Sequence, residues 1–413
     1  MKRVIIGLIC LATSVVELKA QMKDLQSWAA SPRSSRSELS AEDFAKKSLS
    51  KGKTEKAISI LALDKKKGIA KQHGSQWYDR LMRIEEYKMP FFFKVWGDEP
   101  EGGRSLYLSM HGGGGAPAKV NDKQYENQKK LYDVTMEGLE GVYLAMRAPT
   151  DTWNLWHQSH IDKFLNTLIQ LAVIYENVNP NKVYILGYSA GGDGAFQLAP
   201  RLADRWAAAA MMAGHPGDAS ALSLRNTPFS IHVGGLDSAY KRNEHAATWK
   251  VELKKLQDKD PEGYKHLVGI PQDMGHWMKL QDAAALPWMA GFTRNPIPSK
   301  VVWQQDNVLH NRFYWLEVPD DQMQKGGIVV AEYDRENNEV NILENYSAEL
   351  KINLNDAMFN LDKPITVKFK GNTIYTGEVE RNILNIWESL DYKGDAQMAF
   401  SASLTILNNE KVK

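Results

Sequence analysis

The sequence predicts an α/β protein with a mostly parallel sheet, preceded by a helical segment and followed by a β-rich, sandwich-like region. Three observations support this. Residues 21–89 are polar, Lys-rich and helical in pattern. Between residues 90 and 298, short apolar runs alternate with amphipathic helices, which is typical of strands covered by helices on both faces. After the linker Asn295–Ser299, β-type segments continue over residues 299–413.

The composition is that of a globular protein rather than a disordered or disulfide-rich chain. The 413 residues are 43% hydrophobic and include one cysteine, and the length allows two domains. There are 51 Lys and Arg against 50 Asp and Glu, so the net charge is +1. Without an overall basic field, neither nucleic acid nor an anionic membrane is an expected partner.

Residues 1–20 have the pattern of a cleavable secretory signal. Lys2 and Arg3 precede the mostly apolar run Val4–Val16, and Ala20 is the small residue before the expected cleavage. The run has 13 residues, whereas a membrane span needs about 20, and no later segment is predicted to be transmembrane. Cleavage also removes Cys10, so we expect a secreted or periplasmic chain without thiols.

Residues 21–89 form the helical N-terminal segment. Helices are expected at Ala41–Leu49 and Lys53–Leu63, and no strand is expected before Pro90. Residues 46–71 contain nine Lys against two acidic residues, a local charge of +7. We interpret this charge as a solvated helical face rather than a contact for an anionic polymer or membrane.

The α/β domain is predicted over residues 90–298. In an open parallel sheet, ligands bind beyond the carboxyl ends of the strands, so chemistry is expected just after each apolar run. The expected strands are Ser105–Met110, Val142–Met146, Lys182–Leu186, Ala207–Met212, Phe229–Val233 and His266–Ile270.

The accessory domain is predicted over residues 299–413 as a small β-sandwich with one helix at Arg381–Leu390. Its expected strands are Val301–Gln304, Arg312–Val318, Ile328–Tyr333, Glu339–Leu343, Glu349–Leu354, Ile365–Phe369 and Ala399–Ile406.

A candidate nucleophile follows the third expected strand of the α/β domain. Ser189 is the centre of the motif Gly-Tyr-Ser-Ala-Gly, residues 187–191, which lies between that strand and a helix. A serine on such a sharp turn adopts a strained backbone and presents its hydroxyl to the crevice, provided that glycines remove the colliding side chains. The alternative is a tight turn with an incidental serine.

A serine hydroxyl needs a general base, and the base needs a group that orients it. Asp237 and His276 each follow one of the last two expected strands, which places a carboxylate and an imidazole at neighbouring strand ends. Two other carboxylates compete with Asp237. Asp193 is more simply a cap of the helix after the serine, and Asp273 belongs to the loop that carries the histidine.

A glycine-rich loop follows the first expected strand. His111 is followed there by four glycines, residues 112–115. Hydrolysis of an acyl group passes through an oxyanion, which backbone N–H groups stabilise, and glycines let the backbone approach a substrate carbonyl. The expected donors are Gly113 and Gly114, together with Ala190 after the candidate nucleophile.

The sequence resembles the α/β-hydrolase fold through residues 187–191, Asp237 and Gly275-His276, in the chain order Ser, Asp, His, over about half of the chain. The resemblance implies a Ser189–His276–Asp237 triad that needs no cofactor. The overall layout is similar to secreted bacterial esterases of the feruloyl, acetylxylan and polyhydroxybutyrate-depolymerase-like kinds. The Lys-rich segment and residues 299–413 depart from that pattern.

Three tryptophans are candidates for contact with a substrate: Trp153 and Trp156 follow the strand at Val142–Met146, and Trp277 follows His276. Packing beneath the following helix is the alternative. His157 and His160 share a helix face, but no acidic or cysteine partner completes a ligand set, so no metal is expected.

We therefore expect a serine hydrolase of carboxylic esters, with a polysaccharide-linked or polymeric ester as one candidate substrate. A prolyl-oligopeptidase-like serine peptidase is an alternative, although the roughly 70 helical residues before the α/β domain are too few for a propeller. A catalytically inactive carbohydrate- or surface-binding protein is another. The complete set of motifs argues against this inactive form.

Overall fold

A computed structural model describes residues 20–412, so the predicted secretory signal lies almost entirely outside the described residues. The chain divides into two units. The α/β unit comprises Ile69–Tyr314 and Met323–Val330, and the accessory unit comprises residues 20–68, Trp315–Gln322 and residues 331–412.

The α/β unit is built on a mixed sheet. Within the described residues, eight strands pair in the order β1-β2-β4-β3-β5-β6-β7-β8. Strands β3 to β8 run parallel to one another, whereas β2 is antiparallel to both β1 and β4. The prediction of a mostly parallel sheet is confirmed. The strands are β1 Leu81–Ile84, β2 Tyr87–Trp96, β3 Arg104–Met110, β4 Gly141–Met146, β5 Val178–Tyr188, β6 Ala208–Met212, β7 Phe229–His232 and β8 His266–Gly269.

Helices cover both faces of this sheet. Leu106 and Leu108 on β3 belong to one apolar cluster, and Tyr107 between them belongs to another. Because side chains alternate along a strand, a strand buried on both faces reads as a continuous apolar run, which is the pattern that the sequence shows. The helices of this unit are α4 Ala118–Gln128, α5 Asp133–Met136, α6 Ser159–Tyr175, α7 Ala190–Arg201, α8 Arg242–Lys259 and α9 Ala285–Ala290.

The sheet begins earlier than predicted. The hairpin β1–β2 starts at Leu81, although no strand was expected before Pro90. Its two-residue turn is Glu85-Glu86, with Glu85 at φ 54°. Such turns normally carry Asn or Gly, so two glutamates give no turn signal in the sequence.

The accessory unit combines helices and strands. Its helices are α1 at residues 20–30, α2 Asp43–Lys46, the part of α3 Lys51–Tyr78 up to Gly68, and α10 Ile383–Lys393. Leu25, Leu61 and Ile386 pack in one apolar cluster that joins α1, α3 and α10. Residues 20–68 of the N-terminal segment and part of the C-terminal region therefore belong to the same unit.

The strands of the accessory unit confirm the predicted β-rich C-terminal region. One group has the order β11-β14-β17-β18 and another the order β16-β15-β13-β12. Strand β16 was not predicted. The strands are β11 Leu316–Glu317, β12 Ile328–Asp334 from Ala331 onward, β13 Glu339–Asn345, β14 Glu349–Leu354, β15 Ile365–Phe369, β16 Asn372–Gly377, β17 Ala402–Leu407 and β18 Lys411–Val412. The short strands β9 Lys300–Gln304 and β10 Arg312–Phe313 lie in the α/β unit.

None of the helices within residues 20–412 has both the length and the apolar character that crossing a membrane requires.

Candidate active site

Ser189 occupies the single-residue turn between β5 and α7. Its backbone has φ 56° and ψ −118°, a strained conformation for a residue with a side chain. A Cβ at Gly187 would lie 2.0 Å from the Gly191 oxygen, and a Cβ at Gly191 would lie 2.1 Å from the Met110 oxygen. Both positions therefore require glycine, and the two glycines allow the turn that exposes the serine hydroxyl.

The loops after β7 and β8 bring Asp237 and His276 to this serine. His276 Nδ1 lies 2.7 Å from Asp237 Oδ2, and His276 Nε2 lies 3.0 Å from Ser189 Oγ. Because an ionised carboxylate only accepts hydrogen bonds, Nδ1 donates to Asp237 and Nε2 accepts from the serine hydroxyl. The two loops touch backbone to backbone, since a Cβ at Gly234 would lie 2.2 Å from the Gly275 oxygen.

Asp237 and His276 differ in their exposure to water. The carboxylate is buried, with 2% of its surface exposed, whereas 43% of the imidazole is exposed. The imidazole is thus open to the outside, while the carboxylate beside it is shielded.

The glycine loop after β3 lies against the elbow. A Cβ at Gly112 would lie 3.2 Å from the Ser189 Cβ, and a Cβ at Gly114 would lie 3.6 Å from the Ala190 Cβ. Among the described residues, the backbone N–H groups of Gly113 and Ala190 have no hydrogen-bond partner. Two unpaired donors therefore lie on the two segments that meet at the serine.

Gly114 corrects the predicted set of donors. Its N–H donates to Asn121 Oδ1 at 3.1 Å, so this group is already committed within the protein. The Asn121 amide also donates to the Gly114 oxygen and to Asp151 Oδ1. Asn121 is fully buried on α4, and its side chain fixes the shape of the glycine loop.

His111 fixes the start of the same loop. Its Nε2 accepts a hydrogen bond from the Ala148 N–H at 3.1 Å, and its Nδ1 donates to the Gly112 oxygen. Burial lowers the pKa of His111 to about 4, so the imidazole is neutral at pH 7 and can accept at Nε2.

Arg242, the first residue of α8, contacts the side of Asp237 that His276 leaves free. Its Nη1 lies 3.3 Å from Asp237 Oδ1. Nearby, Asp193 in the first turn of α7 accepts a hydrogen bond from the His215 N–H at 2.6 Å. Burial raises the pKa of Asp193 to about 6, although the His215 bond and the charges of Arg242 and His276 act in the opposite direction.

The three predicted substrate contacts differ in exposure. Trp153 is 71% exposed and lies against Gly115 of the glycine loop, and Trp277 is 51% exposed beside His276. Trp156 corrects the prediction because its side chain is fully buried, and its indole N–H donates to the His111 oxygen at 2.9 Å. The path of the loop, which the sequence does not reveal, decides which of these rings reaches the surface.

The two histidines considered as metal ligands pack against aromatic rings. His160 stacks on Tyr87 with ring centroids 3.9 Å apart, and His157 contacts Trp153 edge to face. Across residues 20–412, no group of three or more His, Cys, Asp or Glu is arranged to hold a metal ion.

Sequence reasoning missed three residues that shape this site: Asn121, Tyr188 and Arg242. Tyr188 stands within the elbow motif, but that motif allows any residue at this place. Asn121 had a weak signal, as a polar residue soon after a glycine loop. Arg242 had none, because its contact with Asp237 depends on how α8 begins.

A serine on a strand-to-helix elbow, with Asp and His following in chain order at the ends of later strands, defines the α/β-hydrolase fold. The chain has this fold over its α/β unit. No protein-family model matches the sequence, and no curated protein is similar enough to match.

Solved structures include several distant likenesses. A thermostable esterase has a TM-score of 0.40 and 17% identity, over 52% of this chain and 62% of that one. An acetyl xylan esterase from Aspergillus awamori has a TM-score of 0.36 and 11% identity, over 49% and 93% of the chains. Esterase 2 of Thermogutta terrifontis has a TM-score of 0.37 and 14% identity, over 51% and 88%. Likenesses of this size do not assign an activity.

Proposed function

We propose that this protein is a serine hydrolase that cleaves carboxylic esters through an acyl-enzyme intermediate. The observation that carries the proposal is the continuous hydrogen-bonded chain from Ser189 Oγ through His276 to Asp237. The unpaired N–H groups of Gly113 and Ala190 beside the serine give it further support. Nucleophile, base, orienting group and oxyanion donors are the parts that acyl transfer requires.

In the first half-reaction, Ser189 Oγ forms a bond to the ester carbonyl carbon while its proton passes to His276 Nε2. The carbonyl oxygen becomes an oxyanion, which the N–H groups of Gly113 and Ala190 stabilise. The bond to the alcohol oxygen then breaks, and His276 returns the proton to the departing alcohol. Asp237 stabilises the imidazolium and holds its orientation.

In the second half-reaction, water replaces the alcohol. His276 takes a proton from the water as its oxygen attacks the acyl carbon, and the bond to Ser189 Oγ breaks. The proton on His276 passes to Ser189, and the carboxylic acid leaves. The exposure of the imidazole gives water direct access to this base.

Trp153 and Trp277 are the proposed substrate contacts. Large exposed aromatic side chains beside a reactive centre are suited to stacking on a ring of the substrate. Both rings flank the chemistry, Trp153 against the glycine loop and Trp277 next to His276. A polysaccharide-linked or polymeric ester fits such an open, aromatic-flanked site.

We also propose that the chain is exported. The support is the sequence of residues 1–20 alone, with its basic start, apolar run and small residue at Ala20. Expression in a bacterial host followed by N-terminal sequencing of the periplasmic fraction tests this, and an intact N-terminus there contradicts it.

The test of activity is a substrate panel on the purified protein. Esters of p-nitrophenol, feruloyl esters and aminoacyl anilides separate an esterase from a peptidase. Ester hydrolysis that disappears in Ser189→Ala supports the proposal. Cleavage of anilides but not of esters contradicts it, and so does ester turnover that persists in Ser189→Ala.

A further inference from the structure

The loop that carries His276 has a strained backbone after the histidine. Lys279 and Leu280 are consecutive residues with positive φ, 52° and 65°. Each costs free energy in a residue with a side chain, and the surrounding structure must hold such residues in place. On the other side of the histidine, a Cβ at Gly275 would meet no atom within 4 Å, so the loop is open in that direction, although the Gly275 oxygen lies against Gly234.

Tyr188 holds this loop through two backbone groups, one on each side of Trp277. Its hydroxyl donates to the His276 carbonyl oxygen at 2.6 Å and accepts from the Met278 N–H at 3.2 Å. Its ring also contacts the His276 ring, with centroids 6.0 Å apart in an edge arrangement. Burial raises the pKa of the hydroxyl, so it stays protonated and able to donate at every working pH.

Tyr188 is also the residue before Ser189. Its backbone ends β5, and its neighbour is the nucleophile, so one residue contacts the base loop through its side chain and the elbow through its backbone. One residue thus joins the strand that carries Ser189 to the loop that carries His276.

We propose that Tyr188 is a positioning residue that sets His276 at reaction distance from Ser189, an inference that rests on the proposed function. Tyr188 does not touch a reacting atom. It acts by holding the backbone of His276 against the strand that presents the nucleophile. Misplacement of a reacting group by about 1 Å costs roughly a hundredfold in rate, so a single hydroxyl acting on the loop has a measurable effect.

The test is Tyr188→Phe, with Tyr184→Phe as a matched control. Tyr184 lies on the same strand, is buried, and donates through its hydroxyl to the Phe292 oxygen at 2.8 Å. Both variants remove one buried hydroxyl that donates to a backbone carbonyl, so a similar fall in Tm is expected. We expect kcat to fall about 10- to 100-fold in Tyr188→Phe with KM changed less than about threefold, and to stay near wild type in Tyr184→Phe.

The rate at which a fluorophosphonate modifies Ser189 is measured in parallel. This reaction needs the serine and its base but no ester, so it tests Tyr188 even if the wild type hydrolyses no ester in the panel. Slower modification in Tyr188→Phe alone supports the inference. If Tyr188→Phe has the same kcat and the same modification rate as the wild type, the inference about Tyr188 is overturned, while the esterase proposal is unaffected. Equal losses in both variants also overturn it, because a general loss of stability then explains them.

Discussion

Replacing Asp193 by Asn is expected to stabilise the protein at neutral pH. Burial raises the pKa of this carboxyl from its ordinary 3.8 to about 6. Between these two values, the unfolded chain ionises while the folded chain does not, so stability falls as pH rises. Above about pH 6 the folded chain carries the whole penalty, about 3 kcal/mol for the difference between the two pKa values. Below about pH 4 the penalty nearly vanishes.

Asparagine keeps the oxygen that accepts the His215 N–H but has no charge to bury. The expected gain is therefore about 3 kcal/mol at pH 7.5 and under about 1 kcal/mol at pH 4. For a unit of this size, that corresponds to a rise in Tm of about 6 to 10 °C at pH 7.5. Scanning calorimetry of wild type and Asp193→Asn at both pH values measures it.

Asp162→Asn is the matched control, with the opposite sign. The Asp162 carboxylate is buried but paired with Arg201 at 2.6 Å and with His310 at 2.8 Å. Although burial acts against ionisation, these partners lower its pKa. Its replacement leaves Arg201 short of a partner and is expected to lower Tm at pH 7.5. If Asp193→Asn gains equally at both pH values, or loses stability at pH 7.5, the reasoning from buried charge is wrong.

Three further tests concern the site, one of them with a control variant. Asp237→Asn is expected to lower kcat by about 10³- to 10⁴-fold without unfolding the protein, because the imidazole loses its orientation; a near-normal kcat would show that another carboxylate acts. Gly113→Ala places a Cβ 2.0 Å from Asn121 Oδ1, at a residue whose φ is 112°. We therefore expect kcat to fall at least a hundredfold. Gly115→Ala is the control and is expected to be tolerated, because the atom nearest to its Cβ lies 3.5 Å away. Equal effects in the two glycine variants would contradict the role of Gly113. Trp153→Ala is expected to raise KM about tenfold for ring-bearing esters and little for acetyl esters of small alcohols, and a uniform effect on both would count against stacking.

The sequence predicts the sheet well where its strands are buried on both faces. Runs such as Val142–Met146 are typical of central strands, and the residues after them come together at one edge of the sheet. For this reason, the motif at residues 187–191 and the places of Asp237 and His276 after later strands indicated the three residues, which the structure places in contact. Their catalytic roles remain a proposal.

Other features lie beyond sequence reasoning. The hairpin β1–β2 has a turn without Asn or Gly, so the sequence carries no signal for it. Trp153 and Trp156 stand three residues apart, and only the path of their loop exposes one and buries the other. The N–H of Gly114 is equivalent to that of Gly113 in the sequence, and only the side chain of Asn121 distinguishes them.

The buried Asn121 has a consequence for inhibition. Because hydrogen bonds from this side chain hold the glycine loop, we expect the proposed oxyanion donors to be preorganised for an inhibitor. A boronic acid or phosphonate is then expected to bind without a slow rearrangement of the glycine loop. The observed rate of inhibition should rise linearly with inhibitor concentration and show no plateau, which is the kinetic signature of one-step capture.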